Sequence, residues 1–306
     1  DSRAWHNDSS KVTDVEKDLA WAVQDETQRL VGDLIEKAAA MTGSKNIVIS
    51  GGYGLNCVAN YYYKKRFPDL NIYVDPISHD GGTALGLAQL WHYSETKDKT
   101  VRPISTLYLG PNREETYDFG DIDTTDVTPE DIATLLVDRK IVTLFQGRSE
   151  AGPRALGNRS ILYDPTDPKG KDHVNKVKGR EWFRPFAGSM LQDDFEEWFE
   201  TYGMKESPFM MYAMDFKMSK HGEVPAITHV DGTCRIQTVT EEQNPLYYGL
   251  IKAFKDKTGV PILFNTSFNL AGEPLVETFE DAVHTIKNSD LEYLYIPEVG
   301  KLMYYP

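Results

Sequence analysis

Two arginines in a glycine-containing segment are the residues of this chain best suited to binding an anion. Residues 150–160 have the sequence EAGPRALGNRS, which places Arg154 and Arg159 beside two glycines. Each guanidinium offers a planar set of donors that suits phosphate or carboxylate oxygens, and glycine lets the backbone come close to a ligand. A loop whose arginines pair with structural acids is the alternative. The run by itself leaves both interpretations open.

Two further runs carry polar side chains of the kind that line ligand sites. Residues 228–235 (THVDGTCR) bring Thr228, His229 and Arg235 into one turn-like segment. His229 could orient a substrate or move a proton, and a buried structural histidine is the alternative. Residues 264–274 (FNTSFNLAGEP) follow an apolar run that predicts a buried strand. The binding candidates in that run are Asn265, Ser267 and Asn269. One such run can be turn chemistry, whereas three in one chain favour a ligand site.

Six motifs, in the order of the family, resemble the O-carbamoyltransferases, which include the nodulation-factor, cephamycin and tobramycin carbamoyltransferases. The resemblance extends over roughly residues 20–296. Because six motifs occur in the order of the family, this resemblance is far more specific evidence than a single glycine pattern. The motifs are GGYGLNCVAN (51–60), HDGGTALGLA (79–88), EAGPRALGNRS (150–160), REWFRPFAGSML (180–191), THVDGTCRIQTV (228–239) and FNTSFNLAGEP (264–274).

The resemblance implies an α/β protein of two domains that transfers a carbamoyl group. Residues 1–100 are expected to form the C-terminal lobe of an actin/sugar-kinase-like (ASKHA) domain, and residues 101–306 a YrdC-like α/β domain. Family members activate carbamoyl phosphate with ATP, for which Mg²⁺ is the expected companion, and form carbamoyl adenylate. They then pass the carbamoyl group to the hydroxyl of a small-molecule acceptor. An antibiotic or Nod-type sugar, another metabolite and a hydroxylated base are all left open as acceptors.

The resemblance implies a metal site only in part. Family members begin with a half-domain whose HxxxH pair binds a metal, usually iron, and Asp80 matches the aspartate that completes that site. Two histidines and one carboxylate suit non-haem iron. This chain contains no HxxxH, and His6 stands alone, so we expect either a fragment or a first lobe supplied separately. Iron or another divalent metal is therefore expected only in the full-length enzyme. His79 is interpreted as a loop histidine.

Charge assigns roles to the remaining motif residues. The phosphates of ATP and carbamoyl phosphate repel each other by ~4 kcal/mol per unit pair near 4 Å at intermediate dielectric, so a group of cations is needed. The catalytic candidates are Arg154, Arg159, Lys176, Arg184, His229 and Arg235. The cofactor-binding candidates are Gly51, Gly52, Asn56, Gly81, Gly82, Arg180, Thr228, Asn265, Ser267 and Asn269. Arg148, Lys178 and Arg180 can also be interpreted as ordinary surface charges. In-line phosphoryl chemistry needs positioning more than a protein nucleophile.

Composition narrows the class of protein. The chain has no run of about 18 apolar residues, which predicts no membrane span, and we expect a cytoplasmic enzyme. Its formal net charge of −14 argues against a protein that binds nucleic acid along a broad surface. A threonylcarbamoyl-type tRNA-modifying enzyme and a non-catalytic nucleotide-binding subunit are the alternatives. A homodimer is left open.

Periodicity predicts the elements that must position these groups. Apolar spacing over residues 11–41 predicts a long amphipathic helix that ends at Gly43. Beyond a polar linker at residues 95–103, Thr128 is expected to cap a helix with Pro129 at its first position. Acidic residues 118–131 predict a solvated loop. Strands are predicted at 47–49, 72–74, 141–145 and 260–264, and helices at 55–65 and 84–93, which together indicate α/β layers.

Overall fold

A computed structural model describes residues 12–100, 104–111, 117–120 and 122–306. The fold is mixed α/β, and the described strands form a two-stranded and a nine-stranded sheet on either side of residue 100. His6 and part of the predicted linker, residues 101–103, lie outside the described residues. The division into domains near residue 100 stays a prediction. Within the described part of the chain, no helix is long and apolar enough to cross a bilayer.

The first unit is built on a short parallel sheet. Its strands pair in register from Asn46 opposite Asn71 to Ile49 opposite Val74. The predicted strands and the helix at 84–93 are confirmed, while the helix predicted from residue 55 begins two residues later. The elements are α1 (Asp14–Thr42), β1 (Asn46–Ile49), a 3₁₀ turn (Gly52–Leu55), α2 (Cys57–Arg66), β2 (Asn71–Val74) and α3 (Gly82–Thr96).

Helix α1 has about the predicted length, but several of its apolar residues are exposed. Thr13 and Glu16 form a capping box at its start, and Gly43 ends it with a φ of 67°. Of its apolar residues, Ile35 is buried, whereas Leu19 and Leu34 are 64% and 63% exposed. The predicted helix is therefore confirmed, but part of its apolar face is not covered by the described residues. Periodicity predicts that a helix has an apolar side but not which element covers it.

The second unit is a mixed sheet with helices packed on it. The strands are β3 (Thr124–Asp126), β4 (Val142–Phe145), β5 (Arg159–Tyr163), β6 (Ala187–Leu191), β7 (Ala213–Asp215), β8 (Thr233–Val239), β9 (Ile262–Ser267), β10 (Tyr293–Ile296) and β11 (Lys301–Tyr304). Their order in the sheet is β3-β11-β10-β4-β5-β9-β6-β8-β7. The helices are α4 (Pro129–Val137), α5 (Gly170–Lys178), α6 (Phe195–Trp198), α7 (Pro245–Thr258) and α8 (Phe279–Lys287).

The core of this sheet lies around its central strands. All residues of β4, β5 and β6 are buried, as expected for strands covered on both faces. Helix α4 packs against α7, and the predicted Thr128 cap with Pro129 at the first turn is confirmed. The solvated loop expected at residues 118–131 is wrong in part, because β3 forms there and pairs with β11.

Polar contacts join the two units along α2. The Tyr61 hydroxyl donates to the Glu200 carbonyl over 2.6 Å, and the Asn60 amide donates to the Met211 carbonyl over 3.0 Å. Helix α2 also packs against β7. A further bond, from Arg154 Nη2 to the Leu55 carbonyl over 3.2 Å, places the 3₁₀ turn before α2 next to the arginine loop of the second unit.

Candidate anion-binding site

A cationic pocket opens where α5 ends and where the chain leaves β9. Its volume is about 310 Å³. It lies at strand and helix ends, as ligand sites commonly do in α/β proteins. The polar side chains that line it are Lys178, Arg180, Glu181, Arg184, Ser267 and Asn269. The structure thus brings four of the predicted site residues together: Arg180, Arg184, Ser267 and Asn269.

Lys178 is the residue that the sequence-based interpretation missed. It is 3% exposed, so its interpretation as a surface charge is wrong. Its Nζ donates to the Asn269 carbonyl over 2.7 Å and to the Ser267 carbonyl. Burial lowers the pKa of Lys178 to about 7, and the neighbouring positive charge of Arg180 acts in the same direction. Lys178 lies four residues after the fully buried Val174, and this helical spacing was the available signal.

Arg180 and Arg184 follow Lys178 in the next turn of the chain. The Arg180 Nε donates to Asn175 Oδ1 over 2.6 Å, and its guanidinium lies 4.1 Å from the centre of the Phe186 ring. Burial, helped by the positive charges of Arg184 and Arg235, lowers the pKa of Arg180 to about 10. Arg184 is more exposed and pairs with Glu181 at 2.6 Å. The positive charges of Arg180 and Arg184 therefore repel each other across the pocket.

Arg154 and Arg235 extend this field toward the first unit. Arg154 is half-buried and donates to the Leu55 carbonyl over 3.2 Å. Burial, followed by the nearby Arg235 charge, lowers the pKa of Arg154 to about 10. The Nε atoms of both arginines are buried, and neither has a hydrogen-bond partner among the described residues. Since buried donors are normally satisfied, these two groups are suited to an anionic ligand.

His229 stands beside Arg235 in a fixed orientation. Its Nε2 lies 2.9 Å from the Phe186 carbonyl, which can only accept, so Nε2 carries a proton. Its Nδ1 lies 3.1 Å from Thr233 Oγ1. Burial lowers the pKa of His229, which favours the neutral ring. The Thr228 hydroxyl donates to the Val224 carbonyl. Both nitrogens of His229 thus contact protein atoms, and its role in proton transfer stays a prediction.

Among the predicted site residues that do not line the pocket, Arg159, Asn265 and Lys176 lie either in the buried backbone network or at the surface. Arg159 is 1% exposed and donates to the carbonyls of Gln146, Gly147 and Glu277. This is the structural alternative to catalysis, because its donors hold the backbone together. Asn265 is fully buried and donates to Ala155 O and Ser189 Oγ, so it fixes strands instead of lining the pocket. Lys176 is exposed and does not line the pocket.

A second pocket of about 380 Å³ lies in the first unit. It is lined by Gly51, Ser78, Asp80 and Gly82, among others. The Ser78 hydroxyl is buried, with no hydrogen-bond partner among the described residues. A Cβ on Gly82 would lie 2.1 Å from the Ile77 carbonyl, so only glycine fits there. Ser78 and Asp80 therefore line one pocket, in which Ser78 is buried and Asp80 is exposed.

The other predicted binders of the first unit have local roles. Asn56 caps α2, because its Oδ1 accepts from the Ala59 amide over 3.1 Å. The Gly81 amide donates to His79 Nδ1, as expected for a loop histidine. Gly51 has a φ of 97°, and Gly52 has open space where a side chain would point. Backbone groups of Gly51 and Gly52 remain candidates for ligand contact.

The described residues do not by themselves fit a resident metal. Among residues 12–100, 104–111, 117–120 and 122–306, no three His, Cys, Asp or Glu side chains are grouped so as to hold an ion. Asp80 would need further ligands from elsewhere. Its role as a metal ligand stays a prediction, and no chemical step is assigned to a metal here.

Comparison with known proteins places both units in one family. A family model described as carbamoyltransferase C-terminus matches residues 133–301, and one described as carbamoyltransferase N-terminus matches residues 2–89. The chain is 38% identical to nodulation protein NolNO of Sinorhizobium fredii over 93% of this chain and 44% of that protein. It is 37% identical to nodulation protein NolO of Bradyrhizobium diazoefficiens over 93% of this chain and 54% of that protein.

The chain spans about half the length of the curated relatives that it matches. Among solved structures, full-length HypF in the phosphate- and nucleotide-bound form is similar with a TM-score of 0.38 and 15% identity. That likeness covers 57% of this chain and 24% of HypF, and it is too weak to support an inference.

Proposed function

This chain belongs to the carbamoyltransferase family, and we propose that it makes carbamoyl adenylate from carbamoyl phosphate and ATP and passes the carbamoyl group to an acceptor hydroxyl. The observation that carries the proposal is the set of cations around one site. Burial lowers the pKa values of Lys178, Arg180 and Arg154. The charge of Arg180 acts in the same direction on Lys178, those of Arg184 and Arg235 on Arg180, and that of Arg235 on Arg154. Such a group is costly to assemble unless an anion of high charge occupies it.

The proposed reaction has three balanced steps. Carbamoyl phosphate and water give carbamate and phosphate. A carbamate oxygen then attacks the α-phosphorus of ATP, the bond to the β-phosphate oxygen breaks, and pyrophosphate leaves with the electron pair. The acceptor hydroxyl attacks the carbamoyl carbon of the adenylate, AMP leaves, and the hydroxyl proton passes to solvent or a base. The protein's contribution to these steps is positioning and charge compensation.

Lys178 fits the role of a charge that is formed when the substrate binds. Its pKa of about 7 leaves it partly neutral in the free protein at physiological pH. A phosphate beside its Nζ would raise that pKa, and the lysine would take up a proton. Arg180 and Arg184 are assigned to the phosphates of ATP. Arg154 and Arg235, with unsatisfied Nε donors, are assigned to the carbamoyl phosphate.

We assign acceptor binding to the second pocket. Ser78 and Asp80 there offer a hydroxyl and a carboxylate to a hydroxyl-bearing small molecule. The bond from Arg154 to the Leu55 carbonyl connects the cationic site to the turn beside this pocket. The two-stranded unit then corresponds to the ASKHA-like lobe and the nine-stranded unit to the YrdC-like domain.

Exchange of labelled pyrophosphate into ATP tests the proposal. The 306-residue chain is expected to catalyse this exchange only when carbamoyl phosphate is present, because the cationic site lies wholly within it. A folded sample that binds ATP without exchange would support the non-catalytic alternative. Exchange that requires threonine and bicarbonate, with transfer of the product to tRNA, would support the tRNA-modifying alternative.

A further inference from the structure

Asn175 connects the body of α5 to the loop that carries two of the pocket's arginines. It is 2% exposed. Its carbonyl accepts from the amides of Gly179 and Arg180. Its side-chain Oδ1 accepts from Arg180 Nε over 2.6 Å. Its Nδ2 donates to the carbonyls of Trp182 and Arg184, each over 3.2 Å. The buried side chain of Asn175 therefore holds Arg180, Trp182 and Arg184, and its backbone carbonyl holds the amides of Gly179 and Arg180.

The same contacts fix the guanidinium of Arg180. Nε is held by Asn175, Nη2 donates to the Pro185 carbonyl over 3.1 Å, and the ring of Phe186 lies beneath its face. A guanidinium has five N–H groups. Two are used by these contacts, and the other three remain for a ligand of the pocket that Arg180 lines.

We infer that Asn175 is a positioning residue that holds Arg180 and Arg184 ready for an anion. Without a ligand, the positive charges of Arg184 and Arg235 repel Arg180, and the Glu181 carboxylate offsets only part of that repulsion. A neutral amide opposes that repulsion without cancelling any charge. An aspartate could also hold Arg180, but it would neutralise the cation that the ligand needs. The inference rests on the proposed function only for the identity of the anion.

Binding of inorganic pyrophosphate to the 306-residue chain, measured by calorimetry, is the test. The variant Asn175→Asp has the same shape, keeps the acceptor for Arg180, and loses the two donors to Trp182 and Arg184. We expect its dissociation constant for pyrophosphate to rise about tenfold or more, which corresponds to about 1.4 kcal/mol. The matched control is Asn71→Asp, which changes an exposed asparagine with a bond to Asn46. The control should bind like the wild-type chain.

A double-mutant cycle separates positioning from general damage. If Asn175 acts through Arg180, then Asn175→Asp should weaken binding far less in an Arg180→Ala background than in the wild type. Effects that multiply independently would overturn the inference, as would unchanged pyrophosphate binding by a folded Asn175→Asp chain. Asn175→Ser, which adds no charge, is measured in the same cycle and should also weaken binding. A loss of binding in Asn175→Asp alone would show that the added charge, and not lost positioning, is responsible, and would overturn the inference.

The test also distinguishes this inference from the proposed function. A wild-type chain that binds pyrophosphate, shows the non-additive cycle and lacks exchange activity would sink the proposed function alone. Exchange activity with a multiplicative cycle would sink the positioning role alone. In active chains, a positioning role also predicts a higher KM for ATP with kcat changed much less.

Discussion

Replacing Lys178 with methionine should stabilise the fold while destroying the anion site. Lys178 is held at a pKa of about 7, against an ordinary value of 10.5. The unfolded chain therefore takes up a proton below pH 10.5 that the folded chain takes up only below about pH 7. Stability is lost as the pH falls through this window and then levels off, and the full loss is about 5 kcal/mol.

The methionine variant avoids this loss but leaves other groups unsatisfied. The carbonyls of Ser267 and Asn269 would lose the Nζ donor, at a cost of about 1–2 kcal/mol each. We therefore expect Lys178→Met to be about 1–3 kcal/mol more stable than the wild type at pH 7. The wild type should gain about 3 kcal/mol relative to the variant between pH 7 and pH 9.5.

Urea denaturation at the two pH values measures this difference directly. The control is Lys176→Met, because Lys176 lies on the same helix and is exposed, so its stability should follow the wild type. Calorimetry should show that Lys178→Met no longer binds pyrophosphate. A stability difference between Lys178→Met and the wild type that is the same at pH 7 and pH 9.5 would refute the reasoning.

Three further predictions concern other residues of the two pockets. Arg154→Lys should reduce carbamoyl-phosphate-dependent exchange about tenfold, because a lysine cannot replace a planar fork of donors; normal kinetics in Arg154→Lys with loss in Arg154→Ala would show that only charge matters. Arg159→Leu should cost about 3 kcal/mol or more in urea denaturation, since several carbonyls lose their donor. Folded Arg159→Leu should still bind pyrophosphate within about twofold of the wild type, and a large loss would return Arg159 to the site. Elemental analysis of the chain should find far less than one iron per molecule, because Asp80 lacks grouped ligands among the described residues; tightly held stoichiometric iron would show that other residues complete the site.

The sequence predicted local features such as helix caps better than it predicted which elements pack or pair with each other. Caps at Thr128 and the glycine end of α1 depend on residues three or four positions apart, and both are confirmed. Whether Leu19 of α1 faces a core depends on elements far away in the chain, and no periodicity encodes that. Strand β3 was missed because Thr124–Asp126 is polar, and its pairing depends on β11, more than a hundred residues later.

At the candidate site, too, the sequence gives the type of each residue but not whether the residue is buried. Residue type alone suggested Arg154, Arg159 and Lys176 equally, because all three carry a charge near a motif. Burial then separates them: Arg159 bonds to backbone carbonyls, Lys176 is exposed, and Arg154 keeps an unsatisfied donor. Lys178 was passed over since a lysine is rarely buried, although its place on the inner face of α5 could be inferred from helical spacing.

The strand order of the nine-stranded sheet determines how much of the sheet can form while the chain is still being synthesised. Strand β4 is flanked by β5 and by β10, and β10 emerges from the ribosome about 150 residues after β4. Until then the fully buried residues of β4 have an open edge, which is a template for pairing with other chains. The last strand, β11, pairs with β10 on one side and with β3 on the other. A nascent chain that stalls before residue 293 would therefore depend on a chaperone, and removal of the final strand would detach the beginning of the unit together with its end.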